Sequence, residues 1–135
     1  MSSRLNPYIS FNGNAREALE YYRDVFGGDL TINTFAEFGM ADAGPDKVMH
    51  GQLVTTDDYC LMGADTPPGM PYNPGNNMTI SLSGDNGDDL RRYFERLADG
   101  GSVTMPLEKQ VWGDEFGQCV DRFGVPWMVN ISQPQ

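Results

Sequence analysis

The chain repeats itself. Tyr8-Ile9-Ser10-Phe11-Asn12-Gly13-Asn14 lines up with Thr79-Ile80-Ser81-Leu82-Ser83-Gly84-Asp85, 71 positions further on. The same spacing continues without a gap through Leu19/Leu90, Tyr22/Tyr93, Asp24/Glu95 and Phe26/Leu97. A second block, His50-Gly51-Gln52-Leu53-Val54, matches Phe116-Gly117-Gln118-Cys119-Val120 at a spacing of 66, and Leu61-Met62 then matches Trp127-Met128. The spacing changes because residues 38–47 form a loop longer than its counterpart. Self-similarity on this scale means one supersecondary unit used twice.

Local signals describe that unit. Residues 7–12 and 78–83 alternate polar and apolar as strands do. Gly13 and Gly84 predict the turn out of each strand, and Asn14-x-x-Glu17 and Asp85-x-x-Asp88 predict helix starts, the first as a capping box. Ala15, Ala18, Leu19, Tyr22 and Phe26 form one apolar stripe; Leu90, Tyr93, Phe94 and Leu97 form the other. Gly27-Gly28 and Gly100-Gly101 stop the helices. Three strands follow in each half, at about 29–37, 48–56 and 59–64, then about 102–109, 116–122 and 125–132, with Asp57-Asp58 and Phe123-Gly124 at the last hairpin turns. The expected fold is α+β: two tandem β-α-β-β-β units with pseudo-twofold symmetry. Unit one spans about 5–65 and unit two about 78–133, joined by a Pro/Gly/Asn-rich linker at 66–77. A helix covers one face of each sheet, so the bare faces are expected to close around a cavity suited to a small ligand. Exposed edges and apolar surface make a homodimer the expected assembly.

The 135 residues suit a single domain, 1–135, with a sizeable core. No apolar run reaches the ~18 residues of a membrane helix, and Met1-Ser2-Ser3-Arg4 lacks a signal-peptide core, so a cytoplasmic protein is expected with no membrane partner. A formal net charge of −10 repels phosphate backbones and excludes nucleic acid as an expected partner. Cys60 and Cys119 make no metal or redox motif and are expected as small buried residues.

Pro7-Tyr8-Ile9-Ser10-Phe11, Ala18-Leu19-Glu20-Tyr21-Tyr22 and Phe26-Gly27-Gly28 resemble the opening of the PhnB-like branch of the glyoxalase/bleomycin-resistance superfamily, also called vicinal oxygen chelate. Trp112-Gly113, Phe116-Gly117 and Asp121-Arg122-Phe123-Gly124-Val125-Pro126-Trp127 resemble its closing signature. The resemblance covers nearly the whole chain. It implies the paired β-α-β-β-β fold and, in the enzymes, a divalent metal held by His or Glu from the first and last strands of the units. Those positions fall here at Asn6, Met62, Asn77 and Met128. Asn and Met without carboxylate or imidazole make a poor site for a hard cation. Some PhnB-like proteins carry names that refer to a ubiquinone methyltransferase; no nucleotide-binding glycine loop opens a β-α-β unit here.

Asn6, Tyr8 and Ser10, repeated as Asn77, Thr79 and Ser81, should face away from the helix and toward the cavity. His50 is the single histidine and the one weak candidate for a catalytic base or ligand. Trp112, Phe116, Trp127 and Met128 offer apolar walls, and Asp114-Glu115 could bring a carboxylate to the mouth. Met62 and the other methionines either line an adaptable pocket or fill the core. The expected ligand-binding set is Tyr8, Ser10, His50, Met62, Thr79, Ser81, Trp112, Phe116 and Met128. The expected function is binding of a small molecule in a dimeric cavity without the usual metal tetrad, and no cofactor is expected. Two alternatives stand: a metal-dependent isomerase, lyase or transferase, and a resistance protein that sequesters a drug.

Overall fold

The computed structural model describes residues 3–40, 44 and 46–133. The chain divides into two compact units, Met1–Pro74 and Gly75–Gln135. In the first, β1 (Tyr8–Phe11), α1 (Ala15–Phe26), β2 (Asp29–Thr34), β3 (Val48–Val54) and β4 (Cys60–Asp65) form a four-stranded sheet in the order β1-β4-β3-β2. In the second, β5 (Ile80–Gly84), α2 (Gly87–Ala98), β6 (Ser102–Lys109), β7 (Glu115–Val120) and β8 (Pro126–Ile131) repeat it as β5-β8-β7-β6. The β-α-β-β-β reading of both halves therefore holds. In each unit the first strand runs parallel to the last, and the remaining pairs are antiparallel.

Burial follows the repeat. Leu19 and Leu90, Tyr22 and Tyr93, and Phe26 and Leu97 are all buried. They pack on the sheet face that carries Phe11, Leu53 and Leu61 in unit one, and Leu82, Cys119, Trp127 and Val129 in unit two. Each large apolar side chain so buried contributes about 1.5–3 kcal/mol. In unit one the helix sits close because β3 carries Gly51; a Cβ there would collide with Leu19 Cδ1.

Three details differ from the sequence expectation. Asn14 does not cap α1 through its side chain. The buried carboxylate of Asp65 does so instead: its Oδ1 accepts the Gly13 and Ala15 N–H groups at 2.9 Å, and its Oδ2 accepts Val48 N–H at 2.9 Å. An ionised acceptor reaching across the sheet outcompetes a neutral local amide. Asp65 is the last residue of β4. Second, Asn86, not Asp85, precedes α2, and Gly84 is the last residue of β5 rather than a turn residue. Ser81 pairs with Met128, whereas Tyr8 pairs with Met62. The first strand of unit two is therefore displaced by two residues along its partner, a step that keeps every side chain on its face because strands have a period of two. Third, β2 ends at Thr34 and not near residue 37. A 3-10 turn, Ala36–Phe38, follows, with Gly39 left-handed at φ +76°. The hairpin turn at Asp57-Asp58 lies where expected and places Asp58 at φ +64°, where its counterpart is Gly124 at φ +84°.

Candidate functional site

The sheet face turned away from α1 is where unit one carries its chemistry. Alternation puts Tyr8, Ser10, His50, Gln52, Met62 and Ala64 there, because Phe11, Leu53 and Leu61 take the helix side. Gln52, Met62 and Tyr8 stand side by side across three strands. Tyr8 Oη lies 3.1 Å from His50 Nδ1, with ring centroids 5.6 Å apart and planes inclined by 33°. With the imidazole neutral and its proton on Nε2, the phenol donates to Nδ1. Partial burial raises the Tyr8 pKa, so the phenol stays protonated at neutral pH.

A cavity of about 410 Å³ lies over this face. Tyr8, Ser10 and Ala64 form its floor, and Phe35 and Met49 form a side. Its cover is the segment read from the sequence as a linker: Thr66, Pro67, Met70, Pro71, Tyr72, Asn73 and Pro74. Thr66 holds the start of that segment, its N–H and Oγ1–H both donating to the Phe11 carbonyl. Asp65 also borders the cavity, but its oxygens are committed to the three backbone N–H groups.

The candidates of unit two occupy the matching face of its own sheet. Gln118, Met128 and Ser81 form the row that corresponds to Gln52, Met62 and Tyr8. Trp112 stands edge-on to Phe116 at 5.9 Å and is 58% exposed. Thr79 precedes β5 and is exposed, so it does not take the place that the repeat spacing gives it. Trp127 is core, its Nε1–H donating to the buried Asp121 carboxylate at 2.9 Å. Asp121 also accepts the Phe123 and Val125 N–H groups. Neither member of Asp114-Glu115 is uncommitted. Asp114 accepts from Asn130 Nδ2, and Glu115 is bound by both Nε and Nη2 of Arg91.

Asn6 and Asn77 lie ahead of β1 and β5, while Met62 and Met128 lie within β4 and β8. The donors beside the two methionines are a phenol, an imidazole, amides and hydroxyls. Among the described residues no three His, Cys, Asp or Glu gather in a way that could hold a metal ion. Hard divalent cations need carboxylate or several oxygen ligands, so this donor set does not fit one.

Of the residues of unit one expected to bind a ligand, Tyr8 and Ser10 line this cavity and His50 and Met62 are not among the described lining residues, while Phe35, Thr66, Tyr72 and Asn73 line it without having been singled out in the sequence. A signal existed: residues 66–74 carry Met70 and Tyr72 among their prolines, unlike the Gly/Ser composition of a flexible tether.

Comparison with known proteins settles the family. Residues 4–129 match the Glyoxalase/Bleomycin resistance protein/Dioxygenase superfamily. The chain belongs to that superfamily. It is similar to protein YjdN of Escherichia coli K12, 29% identical over 97% of both chains. It is also similar to the crystal structure of protein PA1353 from Pseudomonas aeruginosa, 41% identical over 98% of this chain and 100% of that one, with a TM-score of 0.88. The PhnB protein from Bacillus cereus shares the fold at a TM-score of 0.77 and 22% identity, covering 96% of this chain and 100% of that one. The PhnB-like resemblance in the sequence thus has a structural counterpart. No described helix is long and apolar enough to cross a membrane.

Proposed function

We propose that the chain binds a small, partly polar and partly aromatic molecule in the cavity of its first unit, without the metal tetrad of the superfamily's enzymes. The observation that carries this reading is the cavity itself. Its volume falls within the ~300–1,000 Å³ of small-molecule sites. Its walls mix aromatic, Met and Pro surface with the Tyr8 phenol and the Ser10 hydroxyl, and the carboxylate that borders it among the described residues, Asp65, is already spent on backbone groups. The protein works as a cytoplasmic homodimer, a reading supported by sheets that each end in two edge strands.

Metal analysis after purification without chelator, combined with thermal melting against Zn, Ni, Mn and Fe salts, tests the metal-free part. The expected result is no stoichiometric metal and no shift in melting temperature. Near-stoichiometric metal that disappears in His50→Ala would replace this reading with that of a metal-dependent enzyme. A thermal-shift screen of neutral, cationic and anionic small molecules, glycopeptide drugs included, tests the binding part, and a screen without a single stabilising compound would remove it.

A further inference from the structure

The chemistry of the cavity wall narrows what can occupy it, granting the proposal that it binds a ligand. Phe35, Met49, Met70 and the prolines give apolar surface, and Tyr8, Ser10, Thr66, Tyr72 and Asn73 give neutral hydrogen-bonding groups. Among the described residues that line it there is no Lys, Arg or His. Lys47, the cation nearest in sequence to Met49, turns away and donates to the Gly13 carbonyl at 3.0 Å. An anionic ligand would enter without a cation or a helix N-terminus to replace its hydration, which costs several kcal/mol. The −10 charge of the chain adds long-range repulsion. The same field draws a cation toward the chain, but the cavity itself offers a cation little to bind. Asp65, the carboxylate that borders it among the described residues, already accepts three N–H groups, which leaves it little capacity for an ammonium.

The polar anchor is equally specific. A tyrosine O–H lies near the ring plane and has two such orientations to choose from. With the His50 proton on Nε2, Nδ1 at 3.1 Å accepts the phenol proton and selects one of these orientations. The oxygen then offers lone pairs to the cavity, and the partner that suits them is a hydroxyl or N–H donor.

We propose that the cavity selects an uncharged aromatic compound bearing one hydroxyl or N–H donor, that Tyr8 receives this donor, and that His50 is the positioning residue that orients Tyr8. The aromatic part lies against Phe35, Met49 and the Met70–Tyr72 cover, where sulfur–aromatic and ring–ring contacts favour a flat π-surface.

Three probes with one ring system isolate the charge: 1-naphthol, 1-naphthyl phosphate and 1-naphthylmethylammonium, titrated calorimetrically into the full chain at pH 7. 1-Naphthol should bind at least tenfold more tightly than either ion. Tyr8→Phe should weaken 1-naphthol roughly five- to tenfold, the range of one hydrogen bond. His50→Ala should weaken it less, and His50→Gln, which restores an acceptor near Nδ1, should recover part of that loss. Ala64→Phe, which fills the cavity floor, should abolish binding; circular dichroism confirms that each variant is folded. Equal or tighter binding of the phosphate or the ammonium, still sensitive to Tyr8→Phe, would overturn the ligand class and leave the binding function standing. Binding of 1-naphthol unaffected by Tyr8→Phe would overturn the anchor. No binding of 1-naphthol at millimolar concentration would overturn the inference as a whole, while the binding function would fall separately, through the empty thermal-shift screen.

Discussion

The Asp65 carboxylate gathers N–H groups from the β1–α1 turn, the first turn of α1 and the start of β3. Removing it leaves three backbone donors without a partner, each costing about 1–3 kcal/mol when buried. Asp65→Ala should therefore destabilise the protein by roughly 3–5 kcal/mol in urea unfolding, whereas Asn14→Ala, at the expected cap, should cost under about 0.5 kcal/mol. Asp58 shows the opposite economy. It is the one described non-glycine residue with positive φ, and its counterpart is Gly124. Left-handed backbone strains a residue with a Cβ, so Asp58→Gly should stabilise by about 0.5–1 kcal/mol in the same assay. Residues of both kinds are visible in the sequence as letters only. An Asp near a Pro-rich stretch reads as a loop residue until the fold shows three donors converging on it.

At the level of elements, the two helices and eight strands were legible because their apolar periodicity is enforced by burial. The strand ends were less so. Gly84 reads as a turn because it aligns with Gly13, yet it is paired in β5 opposite Ile131. The helix spacing of 71 holds while β5 is displaced by two residues along β8, since a two-residue step costs no exchange of faces. The close approach of each helix exit to the neighbouring hairpin makes Gly28 and Gly101 sensitive. A Cβ at Gly28 would strike the Val54 carbonyl oxygen, and one at Gly101 the Val120 carbonyl oxygen. Gly101→Ala, which carries no positive-φ penalty, should still destabilise by about 2 kcal/mol or more through backbone displacement. On β7, the Arg91 guanidinium holds the Glu115 carboxyl below its ordinary value. The sign follows directly. The stabilisation is present above the unfolded glutamate value of about 4.3 and is lost as the pH falls through the lower folded value. Glu115→Gln should flatten the stability profile below about pH 4.5, with a small amplitude because the pair is accessible to solvent. Further along the same strand, burial pushes the Cys119 thiol up to about 11. It should react with a disulfide reagent at neutral pH only on unfolding.

For the whole molecule, the duplication predicts more than shape. Each unit has a complete sheet, helix and core, yet the units differ where chemistry would sit. Tyr8 and His50 in unit one answer to Ser81 and Phe116 in unit two, and only unit one carries the Met70–Tyr72 cover. Sedimentation of the full chain should give a mass about twice 14.9 kDa. A monomer across the micromolar range would remove the homodimer from the proposal.

The repeat spacing, the apolar stripes and the family signatures determined the architecture from sequence alone, because each is a periodic pattern that hydrophobic burial must respect. Which polar groups meet was decided only in three dimensions. The capping of α1 by Asp65, the Tyr8–His50 contact and the folding of residues 66–74 over the sheet each join residues far apart in the chain. No periodicity records such pairs, and their energies come from desolvation and geometry that exist only once the sheet has formed.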